Sequence, residues 1–192
     1  MPDPTVVGSG VGIGDDVAAA LDAACGAFWR FSCSVYGRPG IAEILLALQD
    51  EADADVNLVL LCLWLGLYGK PLDAAGLAAA VRAAEPVQAG VLRPLRAARR
   101  GLKALGGPAS LYRDARELEL AVEQIAQRVL LGVLPPGTVP AATAEAAAAC
   151  APADTAYAAV NLAVYAAHLQ VDESRMEPLL DAGRKTFRLS DD

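Results

Sequence analysis

The stretch "VNLVLLCLWLGLY", Val56 to Tyr68, is almost wholly apolar apart from Asn57, and Asp50, Glu51, Asp53 and Asp55 stand directly before it. A membrane-spanning helix needs about 20 predominantly apolar residues, so this shorter run reads as a helix buried in a protein core. Asp53 or Asp55 just ahead of it has the form of a helix N-cap, contributing about 1 kcal/mol. Acidic side chains also suit the positive end of the helix dipole. One residue is enough for that job, which leaves Gln49, Asp50 and Asn57 to explain. A buried amide without a partner costs about 1–3 kcal/mol, so Asn57 is expected to have one or to lie on an exposed edge. The simplest account is that one aspartate starts the helix. The other polar groups then satisfy a buried aromatic corner of Phe28, Trp29, Phe31 and Tyr36.

The rest of the chain repeats the helical theme. Asp15 or Asp16 is placed to cap a helix to about Tyr36, and "GRPG" ends it, with Gly37 free to take positive φ and Pro39 opening the next helix over 40–51. The buried helix stops at Gly69-Lys70-Pro71, and "DAAGLAAAVRAA" forms a short fourth one. A fifth begins near Pro86, with Pro94 kinking it or marking its true start. Its stripe Val87, Val91, Leu95, Ala98, Leu102 and Leu105 faces a sixth helix, capped by Ser110, with Leu111, Ala115, Leu118, Val122, Ile125 and Val129. Both stripes repeat near every 3.5 residues, the pattern of an antiparallel helical hairpin. "LPPGTVP" reads as a linker, followed by helices over 141–149 and 154–169 and a capping box at Ser174–Glu177. No alternating run of β-branched residues predicts a strand. The fold class is all-α, a compact bundle of about seven to nine helices built round the hairpin. Its divisions are a flexible leader (1–14), a main bundle (15–131), a Pro-rich linker (132–140) and C-terminal helices (141–192) packed on the same bundle.

Several functions fit poorly. The net charge of −7 disfavours nucleic acid and anionic membranes. No basic residue precedes Arg30, unlike an ordinary signal peptide. Cys25, Cys33, Cys62 and Cys150 form no CxxC and read as small buried thiols of a reducing cytoplasm. The leader glycines miss GxGxxG by one position. His168 is the only histidine, which excludes a multi-histidine zinc site, and no nucleophile-elbow motif accompanies it. Asn161, Tyr165 and His168 share one helix face as a polar edge that is solvated or satisfies the core. All-α isoprenoid synthases hold diphosphate through magnesium on aspartate clusters, and "DEADAD" resembles one. A complete site needs a second cluster on a facing helix, and Asp172-Glu173 has the wrong spacing. Arg93, Arg96, Arg100 and Lys103, with Arg99 adjacent, form a basic face. It either holds phosphate, a carboxylate ligand or an acidic partner, or it pairs with Asp50, Asp55, Glu117 or Glu123 of neighbouring helices or is simply solvated.

In order, "FWRFSCSVYGRPG", "LQDEADADVNLVLLCLWLG", "RPLRAARRGLK" and "ELELAVEQIAQRVL" resemble a small proteobacterial family known as a domain of unknown function. The likeness covers roughly residues 24 to 131, with "NLAVYAAHL" a weaker echo. The resemblance implies a small helical bacterial protein and brings no activity, cofactor or partner. Its characteristic residues here are Trp29, Tyr36, Pro39, Gln49, Asp50, Asp55, Asn57, Trp64, Arg96 and Arg100.

The expectation is a cytoplasmic, acidic, non-enzymatic protein-interaction or regulatory module, engaging a protein partner or itself, with no catalytic residues, cofactor, metal, nucleic acid or membrane. Trp29, Tyr36, Pro39 and Trp64 are expected as structural anchors. The alternative is a helical ligand-binding protein or Mg-dependent enzyme acting on a small anionic or isoprenoid-like molecule. Gln49, Asp50, Asp55 and Asn57 would then face Arg96 and Arg100 across a pocket.

Overall fold

The apolar run becomes the axis of the protein. In the computed structural model, which describes residues 13–135, 137–140 and 156–188, it forms α3 (Val56–Leu67), buried at every position from Asn57 onward. Around it lie α1 (Ile13–Tyr36), α2 (Ile41–Ala52), α4 (Ala74–Val87), α5 (Arg93–Ala104), α6 (Ala109–Gly132), α7 (Ala156–Leu169) and α8 (Glu177–Arg188). A π-helical turn, Gln88–Leu92, joins α4 to α5, and a 3-10 turn, Glu173–Met176, precedes α8. The described regular elements are all helical, as expected. None is long and apolar enough to cross a membrane. Residues 1–12 and the helix expected over 141–149, with Cys150, lie outside the described residues.

A helix that is apolar all round must be covered on all sides, and small residues let its neighbours come close. A Cβ on Gly66 would stand 2.7 Å from the Tyr157 carbonyl carbon and nearer still to the Ala158 backbone, so α3 and α7 touch main chain to main chain. One turn earlier on α3, Leu63 is seated against Gly183 of α8. Four aromatic residues form one chain: Phe28 stacks on Trp64 with ring centres 5.0 Å apart, Trp64 meets Tyr68 edge-on at 5.5 Å, and Tyr68 meets Phe187 at 5.0 Å. Edge-on and offset rings of this kind favour each other beyond the area they bury.

The α7 helix also pins α3 by hydrogen bonds. The Tyr165 hydroxyl accepts from the Asp55 amide at 2.9 Å. Asn161, fully buried, accepts from the Leu72 amide at 2.7 Å and donates to the Cys62 and Lys70 carbonyls at 3.1 and 3.0 Å. The polar edge of α7 therefore satisfies the core, while His168 stays exposed and stacks loosely on Tyr165, 6.0 Å between ring centres.

Several local expectations need correction. Asp15 and Asp16 fall inside α1, which already starts at Ile13. Gly40, with φ +79°, supplies the left-handed residue of "GRPG", and Gly37 does not. The helices expected to part at Pro86 run on as α4, the π turn and α5, with Pro86 inside α4. Proline lacks an amide hydrogen and clashes with the carbonyl four residues back. A widened π turn is one way a helix absorbs such a lesion, and this one lies between Pro86 and Pro94. Pro108 precedes α6 without a side-chain cap, so Ser110 does not cap it. Asp172, accepting from the Ser174 amide at 2.9 Å, replaces the capping box expected at Ser174–Glu177. Cys62 is buried as expected, but Cys33 is exposed.

The larger correction concerns the hairpin. Helices α5 and α6 do pack together, yet the only buried residue of α5 is Arg96, and α6 buries Glu119 and Gln127. Leu105, Leu111, Leu118 and Ile125, all expected in the seam, are exposed. Arg96 turned inward because carboxylates wait there, while Arg100 and Lys103 of the same basic face stay exposed. Arg96 meets Glu119 at 3.3 Å and Glu123 at 2.9 Å, and Arg99 donates twice to Glu119. Of the anchors, Trp64 is buried, Trp29 is half-buried, and Tyr36 and Pro39 are exposed.

Candidate functional site: two clefts at the start of α3

The four acidic residues before α3 have separate tasks. Asp53 closes α2 in the left-handed conformation, φ +51°, its amide donating to the Leu48 carbonyl. Aspartate tolerates that region better than most residues. Asp55 caps α3, one carboxylate oxygen accepting from the Asn57 amide at 2.8 Å. Asp50 and Glu51 face outward, to Arg100 at 3.7 Å and Arg175 at 2.7 Å. None reaches an indole or phenol of the expected aromatic corner by a hydrogen bond among those described; the phenol near this turn is Tyr165, and it contacts the Asp55 backbone.

Two clefts open beside this turn. The larger, about 660 Å³, lies between the end of α2, the start of α3, α4, α5 and the end of α7. Gln49, Asp50, Asp55, Arg96 and Arg100, five of the six expected ligand residues, line it. The sixth, Asn57, lines a second cleft of about 460 Å³ between α1, α2, α3, α5 and α6. Gln49 and Arg96 border both.

At the floor of the larger cleft, Asp55 and Gln88 are more than nine-tenths buried. Asp55 Oδ2 and Gln88 Nε2 make no hydrogen bond to another protein group. The Gln88 amide lies near enough to favour the charged carboxylate, as do the Asn57 and Leu58 amides and Arg96. Burial outweighs these and pushes the Asp55 carboxyl above its ordinary value. The rim is charged with both signs. Arg93 bonds Asp53 at 2.8 Å and Glu85 at 3.2 Å, and Arg100 faces Asp50. Exposed pairs like these hold little energy and exchange partners readily.

The second cleft has a matching floor. Gln127 Nε2 donates to Asn57 Oδ1 at 2.9 Å and to Ser32 Oγ at 3.1 Å. Asn57 Nδ2 and Gln127 Oε1 make no protein hydrogen bond. Asn57 thus does have the partner its burial required, though on α6. Trp29, Tyr36 and Tyr112 form part of the wall. Burial, followed by the Glu123 charge, raises the Tyr36 hydroxyl above its usual value. Burial likewise raises Glu123 against the pull of Arg96.

Gln88, Glu119 and Gln127 are the residues that sequence reasoning missed. Only Gln127 left a signal, a polar residue next to the apolar stripe of a helix expected to be buried on one side. Among the described residues, no three histidine, cysteine or acidic side chains gather to hold a metal ion.

No curated protein and no solved structure matches the chain. Residues 27–130 match the family described as "Protein of unknown function (DUF2390)". That span holds Asn57, Asp55, Gln88, Arg96 and Gln127, and ends before Asn161 and Tyr165, which brace α3 and its Asp55 cap. The chain belongs to the DUF2390 family.

Proposed function

We propose that this protein is a binding module that takes a small polar molecule in the cleft between α2, α4, α5 and α7. The observation that carries the reading is the floor. Asp55 Oδ2 and Gln88 Nε2, an acceptor and a donor, are buried close to one another, yet neither makes a protein hydrogen bond of ordinary geometry. A buried polar group left unpaired costs about 1–3 kcal/mol, and a ligand bonding both recovers that loss. The walls narrow the ligand class. Asp50, Asp53 and Glu85 stand among Arg93, Arg96 and Arg100, so a strongly anionic diphosphate would have to displace several carboxylates. A molecule carrying both an amine and a carboxylate matches both signs at once.

The reading is of binding without turnover. The Tyr165 hydroxyl, the other acid–base group against Asp55, is committed to the Asp55 amide, and burial pushes its pKa far above the ordinary range. It therefore keeps its proton near neutrality and cannot serve as a base there.

Thermal-shift measurements with amino acids, dicarboxylates, inorganic diphosphate with and without Mg²⁺, and prenyl and acyl compounds test this. An amine-carboxylate at 100 times its Kd adds about 2.7 kcal/mol to stability. Gln88→Leu and Arg100→Ala should abolish that gain while leaving the far-UV spectrum unchanged. If no compound raises the melting temperature, or only diphosphate with Mg²⁺ does, the proposal is wrong. The interaction-module expectation draws support from a different observation, the exposed apolar stripe of α6.

A further inference from the structure

We infer that α6 is a self-association surface, on which a second copy of this chain packs its own α6 antiparallel about a two-fold axis at Ala121. The inference is independent of the cleft. Asp114, Leu118, Ala121, Ile125 and Arg128 follow one another at spacings of four, three, four and three along α6, and all five are exposed. Leu118 is 55% and Ile125 56% exposed, an unusual cost for two large apolar side chains on the same helix face. A 4-3 spacing repeats every 3.5 residues and forms a straight seam between two helices.

The seam is complementary to itself in one orientation only. Leu118 lies three residues before Ala121 and Ile125 four after it, while Asp114 lies seven before and Arg128 seven after. Reversing one copy about Ala121 sets Leu118 beside the partner's Ile125 and Asp114 opposite the partner's Arg128, each contact occurring twice. A parallel pairing would instead set Asp114 against Asp114 and Arg128 against Arg128. The small Ala121 at the crossing lets the helix axes approach to about 8 Å, the lower limit for packed helices. Arg128 is already held by Asp22 of α1, which fixes its guanidinium at the edge of the face, where the partner's Asp114 adds a second carboxylate. Leu111, also exposed, lengthens the stripe by two turns toward the start of α6. One helix face lies at the small end of stable interfaces, so the dimer is reversible and concentration-dependent.

Sedimentation equilibrium of the full chain over a range of concentrations gives the test. The wild type should be a monomer–dimer mixture. Leu118→Glu should be monomeric at every concentration, with an unchanged far-UV spectrum. Asp114→Arg and Arg128→Asp should each weaken the dimer about tenfold or more, since like charges then face each other. An equimolar mixture of those two variants should dimerise as well as wild type, because every pair across the axis is again opposite in sign. Ala121→Cys should form a disulfide-linked dimer under mild oxidation, and Ala98→Cys on α5 should not. A wild type that stays monomeric throughout overturns the inference. A dimer that survives Leu118→Glu, or a variant mixture that fails to recover, does the same.

Discussion

Replacing Gly66 by alanine isolates the contact on which the whole arrangement rests. In an open helix the change stabilises by about 1 kcal/mol, because alanine has less backbone freedom to lose. At Gly66 the new methyl would stand 2.7 Å from the Tyr157 carbonyl carbon and closer still to Ala158 Cα and N, whereas carbon atoms rest at about 3.5–4.0 Å. The obstructing atoms are main chain, so no rotamer relieves the clash and α7 must retreat by about 1 Å. Overpacking alone costs about 1–3 kcal/mol and occasionally more. Retreat also stretches the bonds from Asn161 and Tyr165 that hold α3, each worth about 1 kcal/mol. After subtracting the propensity gain, Gly66→Ala should lose about 3 kcal/mol or more. Gly101 of α5 has nothing within 4 Å of where a Cβ would sit, so Gly101→Ala should gain about 0.5–1 kcal/mol. Urea unfolding followed by far-UV circular dichroism measures both. If the two variants move the midpoint in the same direction, the main-chain contact between α3 and α7 is not what orders this core.

Arg96→Met should cost about 3 kcal/mol at neutral pH by stranding Glu123 and leaving Glu119 to Arg99 alone, and the loss should shrink on acidification; a pH-independent loss would count against the ion-pair account. Asn161→Leu leaves the Leu72 amide and two carbonyls without that side chain and should cost about 3 kcal/mol or more in urea unfolding; near-neutrality would mean the amide is not the brace. Asp55→Asn keeps the cap and removes a buried carboxyl whose pKa is raised by burial. Because the folded state holds that proton more tightly than the unfolded chain, the residue's contribution is fully present below the unfolded pKa. It is lost as pH rises through the folded value. The stability curve of Asp55→Asn should therefore fall less steeply above about pH 4 and lie higher at neutrality. Identical curves would refute the assignment.

The sequence alone determined that this chain is helical, that Val56–Leu67 is its buried axis, and that Asp53 or Asp55 opens that axis; the structure chose Asp55. Those features are local: a run apolar on every side has no stable surface position, and a carboxylate ahead of exposed amides caps wherever the chain goes. The candidate site was legible in part. Gln49, Asp50, Asp55, Arg96 and Arg100 do border one cleft, because their surplus polarity beside an apolar helix demanded some partner. Which partner was a matter for the tertiary structure. Asn57 turned to Gln127, seventy residues away along the chain, and so to the other cleft. Gln88 entered the first cleft on a π turn whose position depends on how two prolines fit a continuous helix.

The hairpin makes the division clearest. Read singly, α5 and α6 each carry an apolar stripe that a helical pattern assigns to the inside. The described fold buries Arg96 against Glu119 and Glu123 and leaves Leu118 and Ile125 outside. Periodicity reports which residues share a face, and it does so correctly here. Which face turns inward depends on the shape and charge of the surface it meets, and here that surface offers carboxylates to α5. That choice is made between helices and has no trace within either one.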